Sequence, residues 1–135
     1  MSADNPVFLR NALFTNAAFS GLSGILCLIA AEPLTLFLGL TETYILYTIG
    51  VILLVFAADV AMTARQKPIN PLFAKLIIAA DLAWVIASFV VSFAFTSLFT
   101  FEGILLIEGI ALVVLGFAVA QTIGLKQLPV RTQTA

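Results

Sequence analysis

The chain has 135 residues, 62% of them hydrophobic and 10% charged, with a formal net charge of -1. A soluble domain is about half apolar and about a quarter charged, and one of this size could not hide so much apolar surface. With no strong basic patch and no interleaving of basic and aromatic residues there is no case for a nucleic-acid partner, and residues 1–135 read as a single integral domain whose partner is the lipid bilayer.

Apolar runs of about 20 residues, enough to cross roughly 30 Å of hydrocarbon at a rise of 1.5 Å per residue, lie at about 11–31, 44–64, 72–96 and 103–125. No water is present in the bilayer core to satisfy backbone groups, so uninterrupted runs cross as helices and not as alternating barrel strands. The expected fold is all-α, a four-helix antiparallel transmembrane bundle.

The first run follows Arg10 and ends near "IAAEP", a pattern with some likeness to a secretory signal. It is longer than a signal core, and the Gly-Ile-Leu before Cys27 is no lipoprotein cleavage pattern, so the run is expected to stay as a helix. Cys27 is the single cysteine; no intramolecular disulfide can form, and it reads as a small apolar helix residue. Ala17 with Gly21, and Ser20 with Gly24, are small residues four apart, as are Gly116, Ala120 and Gly124 in the fourth run. Lipid offers no hydrophobic gain for helix association, so small residues that let backbones approach supply much of the packing. Packing within the bundle is the expected use, and the interface of a homo-oligomer or with a membrane-protein partner is the other.

The connection "AEPLTLFLGLTET" after the first run and "TSLFT" after the third contain no basic residue. All six, Arg10, Arg65, Lys67, Lys75, Lys126 and Arg131, fall in the N-terminal flank, the second connection with its helix margins, and the C-terminal tail. Lys and Arg are retained on the cytoplasmic side during insertion, which places both termini and the second connection there, in a multi-pass membrane protein. Glu32, Glu42 and Glu102 lie at or near the opposite face.

The second connection contains "PINP"; proline disfavours helix in the residue before it, so Gln66 to Pro71 reads as a tight turn. Counted from Asn70, Asp59 and Asp81 are each eleven residues away, and Arg65 and Lys75 each five. In an antiparallel hairpin the two carboxylates stand at matching depth, about 9 Å beyond the basic pair at 1.5 Å per residue. Asn16 in the first helix and Gln121 in the fourth reach a similar level, giving an expected layer of Asn16, Asp59, Asp81 and Gln121, one from each helix.

A mid-membrane carboxylate costs about 2.5 to 3.5 kcal/mol on insertion scales, so such residues usually face a bundle interior. Asp59 and Asp81 are tolerable if they pair with Arg65 or Lys75, share a proton, or are protonated and donate to neighbouring carbonyls. The same pair at one depth is also a candidate site for a proton, a cation or a polar ligand, because coupled titration pushes one of two close carboxyls upward. Glu108, in the fourth helix on the other half of the membrane, is a second candidate. Trp84 follows Asp81 by three residues on the same stripe and reads as packing before substrate platform.

The chain has no His, which removes the commonest haem and zinc ligand and general base, and one Cys removes iron–sulfur clusters. There is no glycine-rich phosphate loop, so no cofactor, no metal and no enzyme of familiar type is expected. The succession "SGLSGILCLIAAEPLTLFLGL", "LLVFAADVAMTAR" and "DLAWV" resembles small four-helix bacterial membrane proteins, broadly DoxX-like ones among them. That resemblance implies the four-helix fold and carries over no activity. Two functions stand open: a non-enzymatic accessory or structural role with a buried polar layer, or a small, oligomeric proton- or cation-coupled transporter. A solvent-filled cavity reaching the two Asp residues favours transport, and tight packing with each carboxylate bonded favours structure.

Overall fold

A computed structural model describes residues 6–128 of the chain; Arg131, part of the expected cytoplasmic tail, lies outside them. The described residues form helices α1 (Val7–Ile29), α2 (Ala31–Leu38), α3 (Tyr44–Arg65), α4 (Pro71–Ala94) and α5 (Phe101–Lys126), with a 3-10 turn at Thr96–Leu98 and no strand. Four of the helices, α1, α3, α4 and α5, are long and apolar enough to cross a membrane. The expected spans are therefore met, with α1 beginning at Val7 instead of about 11 and α4 ending at Ala94 instead of 96.

The connection after the first span is itself mostly helical. α2 occupies it, and Pro33 is accommodated because it stands in the first turn, where its missing N–H would have had no intrahelical partner. Gly39 ends α2 at a positive φ of 88°, a left-handed conformation that any Cβ would strain. The C-terminal end of α2 docks on the start of α5: Thr100 donates its backbone N–H to the Leu38 carbonyl at 2.9 Å and its hydroxyl to the Phe37 carbonyl at 2.6 Å. The same hydroxyl accepts from the Gly103 N–H and so caps α5. At the other end of the molecule Asn70 caps α4 by accepting from the Leu72 N–H, with Pro71 at the first helical position.

The spans pack in the order α3, α1, α5, α4, and α3 and α4, although joined by the short connection 66–70, barely touch. α1 meets α3 through glycines: a Cβ on Gly24 would stand 2.9 Å from the Gly50 carbonyl oxygen, and a Cβ on Gly50 equally close to that of Gly24. α5 approaches α1 in the same manner, where Gly124 leaves room for the backbone of Leu9. Of the small residues in the fourth span, Gly124 thus packs inside the bundle, whereas Gly116 faces open space.

Two apolar clusters divide the core. One, at the end that holds the 66–70 connection, gathers Leu9, Leu13, Val60, Ile69, Ala74 and Ile77. The other, under α2, is built on Ala31, Leu38 and Leu46. Between them, where α3 and α4 part, the interior is not filled.

Candidate functional site

The unfilled region is a cavity of about 410 Å³, lined from all five helices and open on one side. α1 contributes Phe19, Ser20, Ser23 and Cys27; α3 contributes Ile49, Leu53 and Phe56; α4 contributes Asp81, Trp84 and Ser88; and Leu34 of α2 and Ile110 of α5 complete it. Its volume falls in the range of roughly 300 to 1,000 Å³ typical of small-molecule sites, and like them it is mostly apolar with a few polar groups. α3 and α4 barely touch, and where they line the cavity both carry exposed apolar residues, Ile52 on α3 and Ala80 on α4, so the gap between them is its mouth. That gap lies between two helices that are each long and apolar enough to cross a membrane.

At the wall of this cavity lies a closed hydrogen-bond triangle. Asn16 donates from Nδ2 to Asp81 Oδ2 at 2.8 Å and to Gln121 Oε1 at 2.8 Å, and Gln121 Nε2 donates to the same Asp81 Oδ2 at 2.9 Å. Ser20, one turn beyond Asn16, donates to Asn16 Oδ1 at 3.2 Å. The three vertices come from α1, α4 and α5, and all are buried: Asn16 is 1% exposed, Asp81 3% and Gln121 0%. In apolar surroundings each such group must find a partner, and here the partners also tie three spans at one level. Asp81 Oδ1, in contrast, accepts no hydrogen bond, while no fully buried side-chain nitrogen or oxygen among the described residues lacks a partner. Oδ1 is accordingly the atom that Asp81 presents to the cavity.

Three of the four residues of the expected layer come together. The fourth does not: Asp59 is exposed and its carboxylate takes no part in the hydrogen bonds around Asp81, so the expected carboxylate pair is replaced by a single buried carboxylate held by two amides. The reason is helical phase. The buried stripe of α3 runs through Leu46, Gly50, Ala57, Val60 and Ala64, with Thr63 at its edge, and Asp59 lies beyond that edge, about 140° around the helix from Ala64 at 3.6 residues per turn. Only the Asp59 carbonyl is engaged, by the Thr63 hydroxyl at 3.0 Å. Arg65 and Lys75 are exposed, and neither forms an ion pair with Asp59 or Asp81.

Glu108 is half-buried and accepts from the buried Ser92 hydroxyl at 2.8 Å, a second polar link between α4 and α5 that does not line the cavity. Trp84 is half-buried in the cavity wall, beside Ser88, whose hydroxyl is spent on the Trp84 carbonyl at 2.8 Å. Arg10 was legible only as a flanking charge; it donates from Nε to the Ala64 carbonyl at 2.8 Å and from a terminal nitrogen to that of Gln66 at 2.6 Å, capping the end of α3 from α1. No group of His, Cys, Asp or Glu among the described residues is placed to hold a metal ion. No family model matches the chain, and neither a curated protein nor a solved structure does.

Proposed function

We propose that this is a small, non-enzymatic accessory protein of the bacterial inner membrane that holds an apolar guest, drawn laterally from the bilayer, in the cavity between α3 and α4. The observation that carries this reading is the cavity itself: about 410 Å³, apolar in nearly all its lining, and open between two helices that face lipid. Both termini are cytoplasmic in this reading, on the strength of the basic residues at Arg10, Arg65, Lys67, Lys75 and Lys126. The Asn16–Asp81–Gln121 triangle has the structural share of the work. It joins α1, α4 and α5 at one depth, and so keeps α4 on α5 and away from α3.

The transport alternative draws support from one observation only, that a cavity reaches Asp81. Its lining argues against a hydrated ion path, which needs a train of polar groups, and Asp59 stands outside it. A guest that dissolves in lipid suits the same walls.

Trp84 is the only tryptophan and lines the cavity, so its fluorescence reports occupancy. Bromododecane added to vesicles containing the protein is expected to quench Trp84 saturably, and Ser23→Phe, which fills the cavity, is expected to abolish the saturable part. Quenching that only follows partition into bulk lipid, unchanged by Ser23→Phe, would overturn the reading.

A further inference from the structure

We infer that the guest carries a cationic, hydrogen-bond-donating head, an alkylammonium being the simplest member of the class, and that Asp81 Oδ1 receives it. The inference rests on the cavity reading above and adds to it the chemistry of one end of the ligand.

The argument starts from what the chain leaves undone. Asp81 is 97% buried by its 3% exposure, yet no lysine or arginine of the described chain pairs with it. A buried carboxylate without a counter-charge is costly, and the usual remedies are a cation or a full set of donors. Here the donors are divided unevenly between the two oxygens. Oδ2 takes both amide N–H groups, from Asn16 at 2.8 Å and Gln121 at 2.9 Å, and Oδ1 takes none and lines the cavity. The triangle thus fixes the carboxylate in one orientation and leaves it one free acceptor in a mostly apolar chamber.

The surroundings of that acceptor narrow the head further. Of the three lining hydroxyls, Ser20 and Ser88 already donate to Asn16 Oδ1 and to the Trp84 carbonyl, and Ser23 alone is without a bond. No lysine or arginine is among the lining residues, so nothing on the walls repels a cation or competes with it for Oδ1. Phe19, Phe56 and Trp84 add aromatic surface, which is compatible with an ammonium head and with an alkyl chain. A head that only accepts hydrogen bonds finds no donor at Asp81 and has only the Ser23 hydroxyl to turn to, and one carrying negative charge is repelled by Asp81. The mouth between α3 and α4 admits such a molecule from the acyl region, chain and head together.

The test exploits an isosteric swap. In Asp81→Asn the amide oxygen can take the place of Oδ2 and keep both internal hydrogen bonds, which turns the NH₂ group toward the cavity. An acceptor becomes a donor with no change of shape. Dodecylamine, methyl dodecyl ether and dodecane are each used to displace bromododecane from Trp84 in vesicles of neutral lipid. In the native protein dodecylamine is expected to displace the probe at roughly tenfold lower concentration than dodecane, the equivalent of about 1.4 kcal/mol, with the ether close to dodecane. In Asp81→Asn that advantage is expected to vanish and the ether to overtake the amine, while dodecane is unchanged. Equal displacement by all three in the native protein, or an amine advantage that survives Asp81→Asn, would overturn the assignment of the head group while leaving the cavity reading intact. Failure of dodecane itself to compete, together with insensitivity of the probe to Ser23→Phe, would instead remove the cavity reading. Retention of the native thermal transition in Asp81→Asn separates loss of the acceptor from loss of the fold.

Discussion

Gln121 Nε2 and Asn16 Nδ2 converge on one oxygen of Asp81, Oδ2, at 2.9 and 2.8 Å, and Asn16 bridges back to Gln121 at 2.8 Å. Because the three bonds close a ring, removal of one vertex leaves the other two short of a partner. Asn16→Leu and Gln121→Leu are each expected to lower the unfolding free energy by about 1 to 3 kcal/mol, the range for stranding a buried polar group. The double variant is expected to lose less than the sum, with a coupling of about 0.5 to 3 kcal/mol. Denaturant titration in micelles measures it, and strict additivity would show that the Asn16–Gln121 bond contributes nothing.

Asp59 and Asp81 have the same local sequence setting and opposite fates. Asp59→Asn is expected to change stability by no more than about 0.5 kcal/mol, as for an exposed site without partners. Asp81→Leu removes the acceptor of two buried donors and is expected to cost about 1 to 3 kcal/mol. Parallel thermal melts of the two variants decide the matter, and comparable losses would place Asp59 back in the interior.

Gly24→Val is expected to force α1 and α3 apart, since even its Cβ would meet the Gly50 carbonyl oxygen at 2.9 Å; overpacking of this kind costs about 1 to 3 kcal/mol. Gly116→Ala meets nothing within 4 Å and is expected to leave stability unchanged or raise it by up to about 1 kcal/mol through helix propensity. A loss of stability at Gly116 that depended on protein concentration would reveal a second copy seated on that face.

Arg10→Ala withdraws two charged hydrogen bonds from the last carbonyls of α3. Faster amide hydrogen exchange is expected over the final turn of α3 and the 66–70 connection, with a stability loss of about 1 to 3 kcal/mol. Unaltered exchange there would mean that water satisfies those carbonyls equally well.

The four spans were legible because their length and composition answer to the bilayer alone. So was the level of Asn16, Asp81 and Gln121, since depth follows from counting residues along a helix. The direction in which a side chain points was not. α3 is apolar around most of its circumference, and a helix of that kind carries no stripe to fix its rotation, so Asp59 could not be told from an interior residue. α2 was masked by Pro33, which reads as a breaker unless its place in a first turn is known. The cap from Arg10 joins residues 54 and 56 positions apart, and no local pattern announces it.

The order of packing also bears on how the chain assembles. α3 and α4 leave the ribosome in succession, yet each rests on a different neighbour, α3 on α1 and α4 on α5. When α4 enters the bilayer, Asn16 is already present but Gln121 has not been made, so Asp81 has one donor in place and waits for the other. The ring closes only with the last span. Chains truncated before Gln121 retain every apolar surface of the first three spans and still leave Asp81 with one of its two donors.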